Sequence, residues 1–221
     1  MELKYKKWED ITVNVFEELT AAIANAEETG IEDVDILNKH ISILSVLCEE
    51  DEEVIANLNP SEFYKLVKQT DFLNEQPKKD IINKVILNGK EYEIFLSVGE
   101  MTMSQYIDFQ TLYKDSKKNF KQLLAIFILP KGKKYCDGYD IQEVINDIGE
   151  YLPITDANNI LFFFVLAFQS LTKATLKSLV RQLKKMKKNE KNREKINQIE
   201  MAITQIQQAT NLVENGDGFS M

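Results

Sequence analysis

Cysteine, histidine, proline and glycine are all scarce in this chain of 221 residues, which contains two Cys, one His, four Pro and eight Gly. Cys48 and Cys136 are far apart and neither belongs to a CxxC pair, which excludes a disulfide framework and a thiolate zinc site. We therefore expect a reducing compartment. Because few glycines or prolines interrupt the helical patterns, we also expect a mainly α-helical fold.

Long apolar runs are also missing. The longest, Ile160 to Phe168, has nine residues, whereas a membrane-spanning helix needs about 20. We therefore expect a helix that is buried on all sides and no membrane association. The first ten residues carry charges but no apolar run, which predicts neither a signal peptide nor a lipid anchor.

Catalytic signatures are absent from the sequence. His40 is the single histidine and lies inside an apolar helical pattern, which indicates a surface or half-buried helix residue. The acidic run 49–53 lacks the glycine and the alternating oxygen ligands of a calcium loop. Glycine-rich phosphate loops, nucleophile elbows and HExxH are missing too. The sequence predicts a non-enzymatic protein with no catalytic residue, no cofactor and no metal.

Helical periodicity and capping residues indicate most of the elements. Thr12, Asn59 with Pro60, and Thr102 are typical helix starts, because a side-chain oxygen there can accept from an otherwise unpaired amide. The spacing predicts helices from Val13 to near Gly30, from Asp33 or Asp35 to Leu47, after Pro60, from Thr102 to Leu112, from Phe120 to Leu129, from Asp140 to Tyr151 and from Asp156 onward. We interpret residues 131–139 as a surface loop.

One β-hairpin is predicted over residues 83–95. Asn88-Gly89 is the preferred pair for a type I′ turn, in which both central residues need a positive φ. This register pairs Leu87 with Lys90 and Lys84 with Glu93, and it places Val85, Leu87, Tyr92 and Ile94 on one face. The fold class we predict is mainly α, a multi-helix domain with this one small hairpin.

The C-terminal part carries two apolar stripes. Leu176 to Met186 and Ile196 to Ile206 keep a 3-4-3 spacing in different phases, separated by the polar stretch 187–195. This pattern fits an antiparallel helical hairpin or coiled coil, and one long helix with a register shift is the alternative. The predicted domain organisation is a helical domain over 1–155, a Phe-rich helix with a basic hairpin over 156–213, and a tail over 214–221.

The net charge of −8 combines two opposed blocks. Residues 17–53 contain twelve Asp or Glu and one Lys, a balance of −11, whereas residues 173–195 contain ten Lys or Arg and two Glu, a balance of +8. Each block can be a solvated helix face, or the two can meet across a subunit boundary. A third alternative for 173–195 is a non-specific contact with DNA, although only Arg181 and Arg193 offer the bidentate Arg fork.

The candidate interaction residues come from these apolar and basic segments. A helix with Phe on every side needs partners on every side, so we expect part of this surface to form a subunit interface. The candidates are Phe162, Phe163, Phe164, Phe168, Lys184, Lys185, Lys187, Lys188, Ile196, Ile199, Ile203 and Ile206.

The order of several segments resembles that of a known group of proteins. The segments are Trp8-Glu9-Asp10-Ile11-Thr12, Asn88-Gly89-Lys90, Thr102-Met103-Ser104-Gln105-Tyr106-Ile107-Asp108, and Leu123-Leu124-Ala125-Ile126-Phe127-Ile128-Leu129-Pro130 before the Phe-rich helix. This layout is similar to small virion and tail-assembly proteins of tailed bacteriophages, and especially to structural proteins of the crAss-like group. The resemblance covers residues 3–170 and transfers no functional residue.

The resemblance implies a non-enzymatic structural subunit of a phage virion, assembled as a ring or connector in the portal, neck or tail. The alternative is a tail-assembly chaperone that binds a tail protein before assembly. The implied partners are other copies of the chain and other phage structural proteins, with packaged DNA as a further contact of 173–195. The implied location is the virion, and the host cytoplasm during assembly.

Overall fold

The structure, a computed structural model, describes residues 1–75, 82–95, 98–187 and 197–204. Within these ranges the side chains of 98, 168–175 and 186–187 are outside the description. Most described residues are helical, as predicted. The α-helices are α1 (Val13–Asn25), α2 (Glu32–Cys48), α3 (Glu52–Ala56), α4 (Pro60–Gln69), α5 (Met103–Tyr113), α6 (Phe120–Ala125), α7 (Ile141–Tyr151) and α8 (Ile154–Lys187).

A small sheet of three strands completes the fold. Its strands are β1 (Lys84–Leu87), β2 (Lys90–Ile94) and β3 (Ile128–Pro130), in the order β1-β2-β3. Short 3₁₀ turns lie at Trp8–Asp10, Asp71–Asn74 and Val98–Glu100. The predicted fold class, mainly α with one small hairpin, is confirmed, and β3 extends the hairpin.

The chain forms two compact units, each built from two separate segments. The first unit contains Met1–Tyr92 and Asp140–Asn159, and the second contains Glu93–Tyr139 and Ile160–Met221. The predicted domain boundary at 155/156 falls within the first turn of α8.

In the first unit, the predicted helix caps are present. Thr12 accepts from the amide of Val15 at 3.5 Å, and Asn59 accepts from the amide of Glu62 at 3.0 Å with Pro60 in the first turn of α4. α1 packs on α2 and α7, and α2 also packs on α3 and α4. The buried residues of this unit include Ile11, Val13, Leu19, Leu44, Leu47, Ile55, Leu66 and Ile148.

Two helix boundaries in the first unit differ from the prediction. α1 ends at Asn25, before Gly30, and Gly30 has a positive φ of 77° in the following turn. The acidic run 49–53 also starts a short helix that was not predicted from the sequence, α3, whose first turn holds Glu52 and Glu53. Carboxylates stabilise a helix N-terminus through its dipole, which explains this start.

The hairpin follows the predicted turn. Asn88 and Gly89 have φ values of 50° and 72°, as a type I′ turn requires. Leu87, Tyr92 and Ile94 are buried on one face, whereas Ile86 on the other face is 72% exposed. The register predicted from the turn is therefore confirmed.

In the second unit, the helix predicted from Phe120 to Leu129 is wrong in its second half. α6 ends at Ala125, and Ile128–Pro130 is strand β3. The amide of Phe95, just after β2, donates to the carbonyl of Phe127 at 2.8 Å. Residues 123–129 are all buried, and such an apolar run has no polar alternation to distinguish a buried helix from a buried strand.

α5 begins with a complete capping box in the second unit. Thr102 accepts from the amide of Gln105 at 3.2 Å, and the Gln105 side chain accepts from the amide of Thr102 at 3.0 Å. The predicted start at Thr102 is thus confirmed. Residues 131–139 form the predicted loop, in which the Tyr135 hydroxyl donates to Asp108 at 2.8 Å.

The C-terminal prediction lies mostly outside the described residues. Residues 197–204 are helical, but 188–196 and 205–221 are not described. The choice between a helical hairpin and one long helix therefore stays a prediction.

Candidate functional site

A buried carboxylate of α7 accepts hydrogen bonds from three side chains of the hairpin in the first unit. Asp147 is 4% exposed and lies on the buried face of α7, beside Ile148 and one turn after Val144. Three donors, all from the hairpin, reach this carboxylate. They are Asn88 Nδ2 at 3.2 Å, Lys90 Nζ at 2.8 Å and the Tyr92 hydroxyl at 2.5 Å.

Lys90 links this cluster to the surface. Its ammonium also contacts Glu143 on α7 at 2.8 Å, one turn before Asp147. Asp147 is buried, whereas Glu143 is 57% exposed. The ion pair between Lys90 and Asp147 is therefore better protected from solvent screening than the pair between Lys90 and Glu143. The cluster therefore joins the hairpin to α7 through one desolvated carboxylate.

The electrostatics of this cluster hold each group in its ordinary charge state. Burial alone would raise the pKa of Asp147, but hydrogen bonds from Lys90, Tyr92 and Asn88 outweigh it and lower that pKa. Hydrogen bonds to Asp147 and Glu143 raise the pKa of Lys90, and burial with the Asp147 contact raises the pKa of Tyr92. A general base or nucleophile needs the opposite shifts. This arrangement suits structural fixation.

The sequence prediction missed this cluster, although two signals were present. Asp147 occupies a position where the helical period of α7 calls for an apolar residue. The predicted register also placed Lys90 opposite Leu87, on the apolar face of the hairpin. A carboxylate on the apolar face of α7 and a lysine on the apolar face of the hairpin would together have indicated the ion pair between Asp147 and Lys90.

The Phe-rich part of α8 is the first predicted interaction segment, and it belongs to the second unit. Phe164 is 1% exposed and its ring stacks on Phe127 with centroids 3.5 Å apart and planes at 12°. Phe163 is half-buried and meets Phe164 edge to face. Phe162 is 52% exposed and Leu166, one turn later, is 49% exposed. The prediction of a helix buried on all sides is therefore wrong on this face.

A second apolar stripe lies on α5 of the same unit. Gln105 and Phe109 form its buried face, whereas Met103 and Ile107, also four residues apart, are 72% and 55% exposed. Four-residue spacing places each pair on one side of the helix. The second unit thus presents large apolar side chains to solvent on two helices.

The predicted basic residues lie further along α8. Lys184 and Lys185 are exposed, as are Lys177 and Arg181, and Leu176, Leu179 and Leu183 are half-buried. Ile199 and Ile203 are half-buried within 197–204. The side chains of Phe168 and Lys187, and all of Lys188, Ile196 and Ile206, lie outside the described residues. Of the predicted residues that the structure describes, it brings Phe163 and Phe164 into contact.

An acidic groove lies on the first unit, between α1 and the end of α2. It has a volume of about 410 Å³ and is lined by Glu18, Ser45, Val46, Glu49, Glu50 and Asp51. Lys4 forms an ion pair with Glu49, and the Tyr5 hydroxyl donates to the same carboxylate at 2.6 Å. Its four acidic lining residues belong to the acidic block 17–53 seen in the sequence.

Three further features of the described residues bear on the other predictions. His40 is half-buried on α2, as expected, and its buried Nδ1 has no hydrogen-bond partner in the described part of the chain. No three His, Cys, Asp or Glu side chains in the described ranges are grouped so that they could hold a metal ion. None of the described helices combines the length and the hydropathy that crossing a membrane requires.

Comparison with the sequence profiles of known protein families, with curated proteins and with solved structures finds no match for this chain.

Proposed function

We propose that this chain is a non-enzymatic structural subunit of a tailed-phage virion, assembled as a ring or connector component in the portal, neck or tail region. Its partners are other copies of itself and other phage structural proteins. The exposure of Phe162 and Leu166 on α8, at 52% and 49%, is the observation that carries this proposal. The resemblance of residues 3–170 supplies the phage context.

The physical argument starts from the cost of exposed apolar surface. Each large apolar side chain that leaves water contributes about 1.5–3 kcal/mol, so a helix that presents such side chains gains from a partner. Phe162 and Leu166 are one turn apart on the second unit, which also exposes Met103 and Ile107 on α5. Scattered apolar residues are normal on a surface, but paired stripes on helices are typical of association sites.

Assembly is tested by mass photometry of the purified full-length chain. The wild type is expected to form oligomers, and Leu166→Glu to shift the population to smaller species, because a carboxylate would have to be buried in the contact. Ser61→Glu is the control, since it adds the same charge at an exposed position in the first turn of α4, outside both α8 and the acidic block 17–53. A wild type that stays monomeric over the accessible concentrations would contradict the proposal.

The phage assignment needs a separate measurement. Mass spectrometry of purified virions should detect this chain in stoichiometric amounts. A chain that co-purifies with a tail protein but is missing from finished particles would favour the tail-assembly chaperone. Absence from both particles and tail-protein complexes would overturn the phage assignment while leaving any self-assembly intact.

A further inference from the structure

α8 carries a one-sided basic stripe in the second unit. Lys177, Arg181 and Lys185 follow each other at four-residue steps, so their side chains share one face of the helix, and Lys184 is adjacent to that face. All four are exposed, and none forms an ion pair with a residue in the described part of the chain. Like charges at this spacing repel and destabilise a helix.

This stripe borders an apolar strip on the same helix. Leu176, Leu179 and Leu183 are half-buried and follow the helical period on the neighbouring face. The exposed part of α8 is therefore amphipathic, with a basic face that no described residue neutralises. Such a face fits a partner surface of negative charge.

The acidic groove of the first unit has the complementary character. Five consecutive carboxylates follow α2 at positions 49–53, and only Glu49 has a cationic partner among the described residues, namely Lys4. The last turn of α2 contains no basic residue. Carboxylates at a helix C-terminus oppose the helix dipole, and Lys4 is the one cation among the described residues that pairs with a carboxylate at this end of α2.

We propose that the basic stripe of one copy docks on the acidic groove of a second copy. This inference rests on the proposed function, because it requires that the chain assembles with itself. Two different surfaces meet in such a contact, so the association is head to tail and its repetition gives a closed ring or an open filament. The ring or connector role needs this kind of interface, which a two-fold contact between identical surfaces does not supply.

Nucleic acid fits the basic stripe less well. Arg181 is the only arginine among its four cations, and the chain as a whole has a charge of −8. A polyanion would be repelled by the same acidic block that attracts the stripe of another copy. Binding of duplex DNA to the basic stripe is therefore the alternative that the following experiment distinguishes from docking between two copies.

Charge reversal separates these possibilities. The first variant reverses the charge of the stripe and combines Lys177→Glu, Arg181→Glu and Lys185→Glu. The second variant reverses the charge of the groove and combines Glu18→Lys, Glu50→Lys and Asp51→Lys. In either variant by itself, the stripe and the groove carry the same charge and repel each other. Sedimentation velocity should then show that self-association is weakened roughly tenfold or more. An equimolar mixture should restore assembly, because each reversed surface finds its complement on the other variant.

The control reverses three exposed lysines elsewhere in the second unit, Lys114→Glu, Lys117→Glu and Lys118→Glu, which changes the net charge of the chain by the same amount as the reversed stripe. This control should assemble as the wild type does. Circular dichroism of every variant verifies folding. Raising the salt from about 50 mM to about 500 mM should weaken the wild-type contact, since charges separated by more than a few ångströms are then screened.

Failure of this inference is distinguishable from failure of the proposed function. If folded variants with a reversed stripe or groove assemble like the wild type while Leu166→Glu does not, the docking proposal is overturned and the structural role stands. If the mixture fails to restore assembly, the docking proposal is likewise overturned. If the reversed stripe abolishes binding to duplex DNA and leaves self-assembly unchanged, the stripe is a nucleic-acid contact.

Discussion

The hydroxyl of Tyr92 donates a hydrogen bond of 2.5 Å to Asp147, and both side chains are buried in the first unit. Asp147 Oδ2 also accepts from Lys90 at 2.8 Å. One carboxylate oxygen therefore joins two residues of β2 to α7. Conservative substitutions of Tyr92 and Asp147 can therefore test the individual hydrogen bonds of this cluster.

Tyr92→Phe removes the hydroxyl and keeps the ring. Asp147 then loses one of three donors in a buried site, which should lower the free energy of unfolding by about 1–3 kcal/mol. Urea denaturation followed by circular dichroism measures this change. Tyr64→Phe is the control, because Tyr64 is 54% exposed and its substitution should change stability by less than about 0.5 kcal/mol. Equal effects of the two variants would contradict a stabilising role for the Tyr92 contact.

The lowered pKa of Asp147 predicts a loss of stability in acid. Since the folded state holds this pKa below its ordinary value of 3.8, the carboxylate contributes stability above that value and loses it as the pH falls through the lowered pKa. Asp147→Asn should cost about 1.5–3 kcal/mol at neutral pH. The difference between wild type and variant should shrink as the pH is lowered from about 5 to about 2. A difference that is constant over this range would refute the assignment.

Gly89→Ala tests the hairpin turn. Gly89 has a φ of 72°, and an added Cβ would meet no atom within 4 Å, so any cost comes from the backbone conformation alone. We expect a loss of about 1–2 kcal/mol, which is the cost of an L-residue in the left-handed region. Gly99→Ala is the control, because Gly99 has the same free space and no positive φ. Thermal unfolding compares the two variants, and similar melting temperatures would argue against the type I′ turn.

Two neighbouring phenylalanines of α8 separate core packing from surface exposure. Phe164→Ala removes a ring that is 1% exposed and stacked on Phe127, so it should cost about 3–5 kcal/mol. Phe162→Ala removes a ring that is 52% exposed and should cost less than about 1.5 kcal/mol. Denaturant unfolding gives both values. We expect Phe162→Ala, however, to weaken assembly in mass photometry, and unchanged assembly would count against the role proposed for this face.

Local signals in the sequence were enough to predict most of the elements. Thr12, Asn59 and Thr102 each start a helix by accepting from the amide three residues later, and Asn88-Gly89 sets its own turn. Such contacts depend on neighbours in the chain, so the residue types alone indicate them.

Features that depend on distant residues were not predictable in the same way. β3 exists because Phe127 accepts a hydrogen bond from Phe95, and the apolar run around it is equally compatible with a helix. The partners of Asp147 lie 55 to 59 residues earlier in the chain. Polar residues at apolar positions could indicate that a buried pair exists, but only the tertiary structure shows which residues form it.

The two units also have consequences for synthesis, because each is assembled from two separate segments of the chain. Tyr92 is synthesised well before Asp147. The residues between them include the whole first segment of the second unit. At about 5–20 residues per second, the 55 residues between them take roughly 3–11 s to be made. During this interval the nascent hairpin has no carboxylate to bind, so its polar side chains stay in water until α7 emerges.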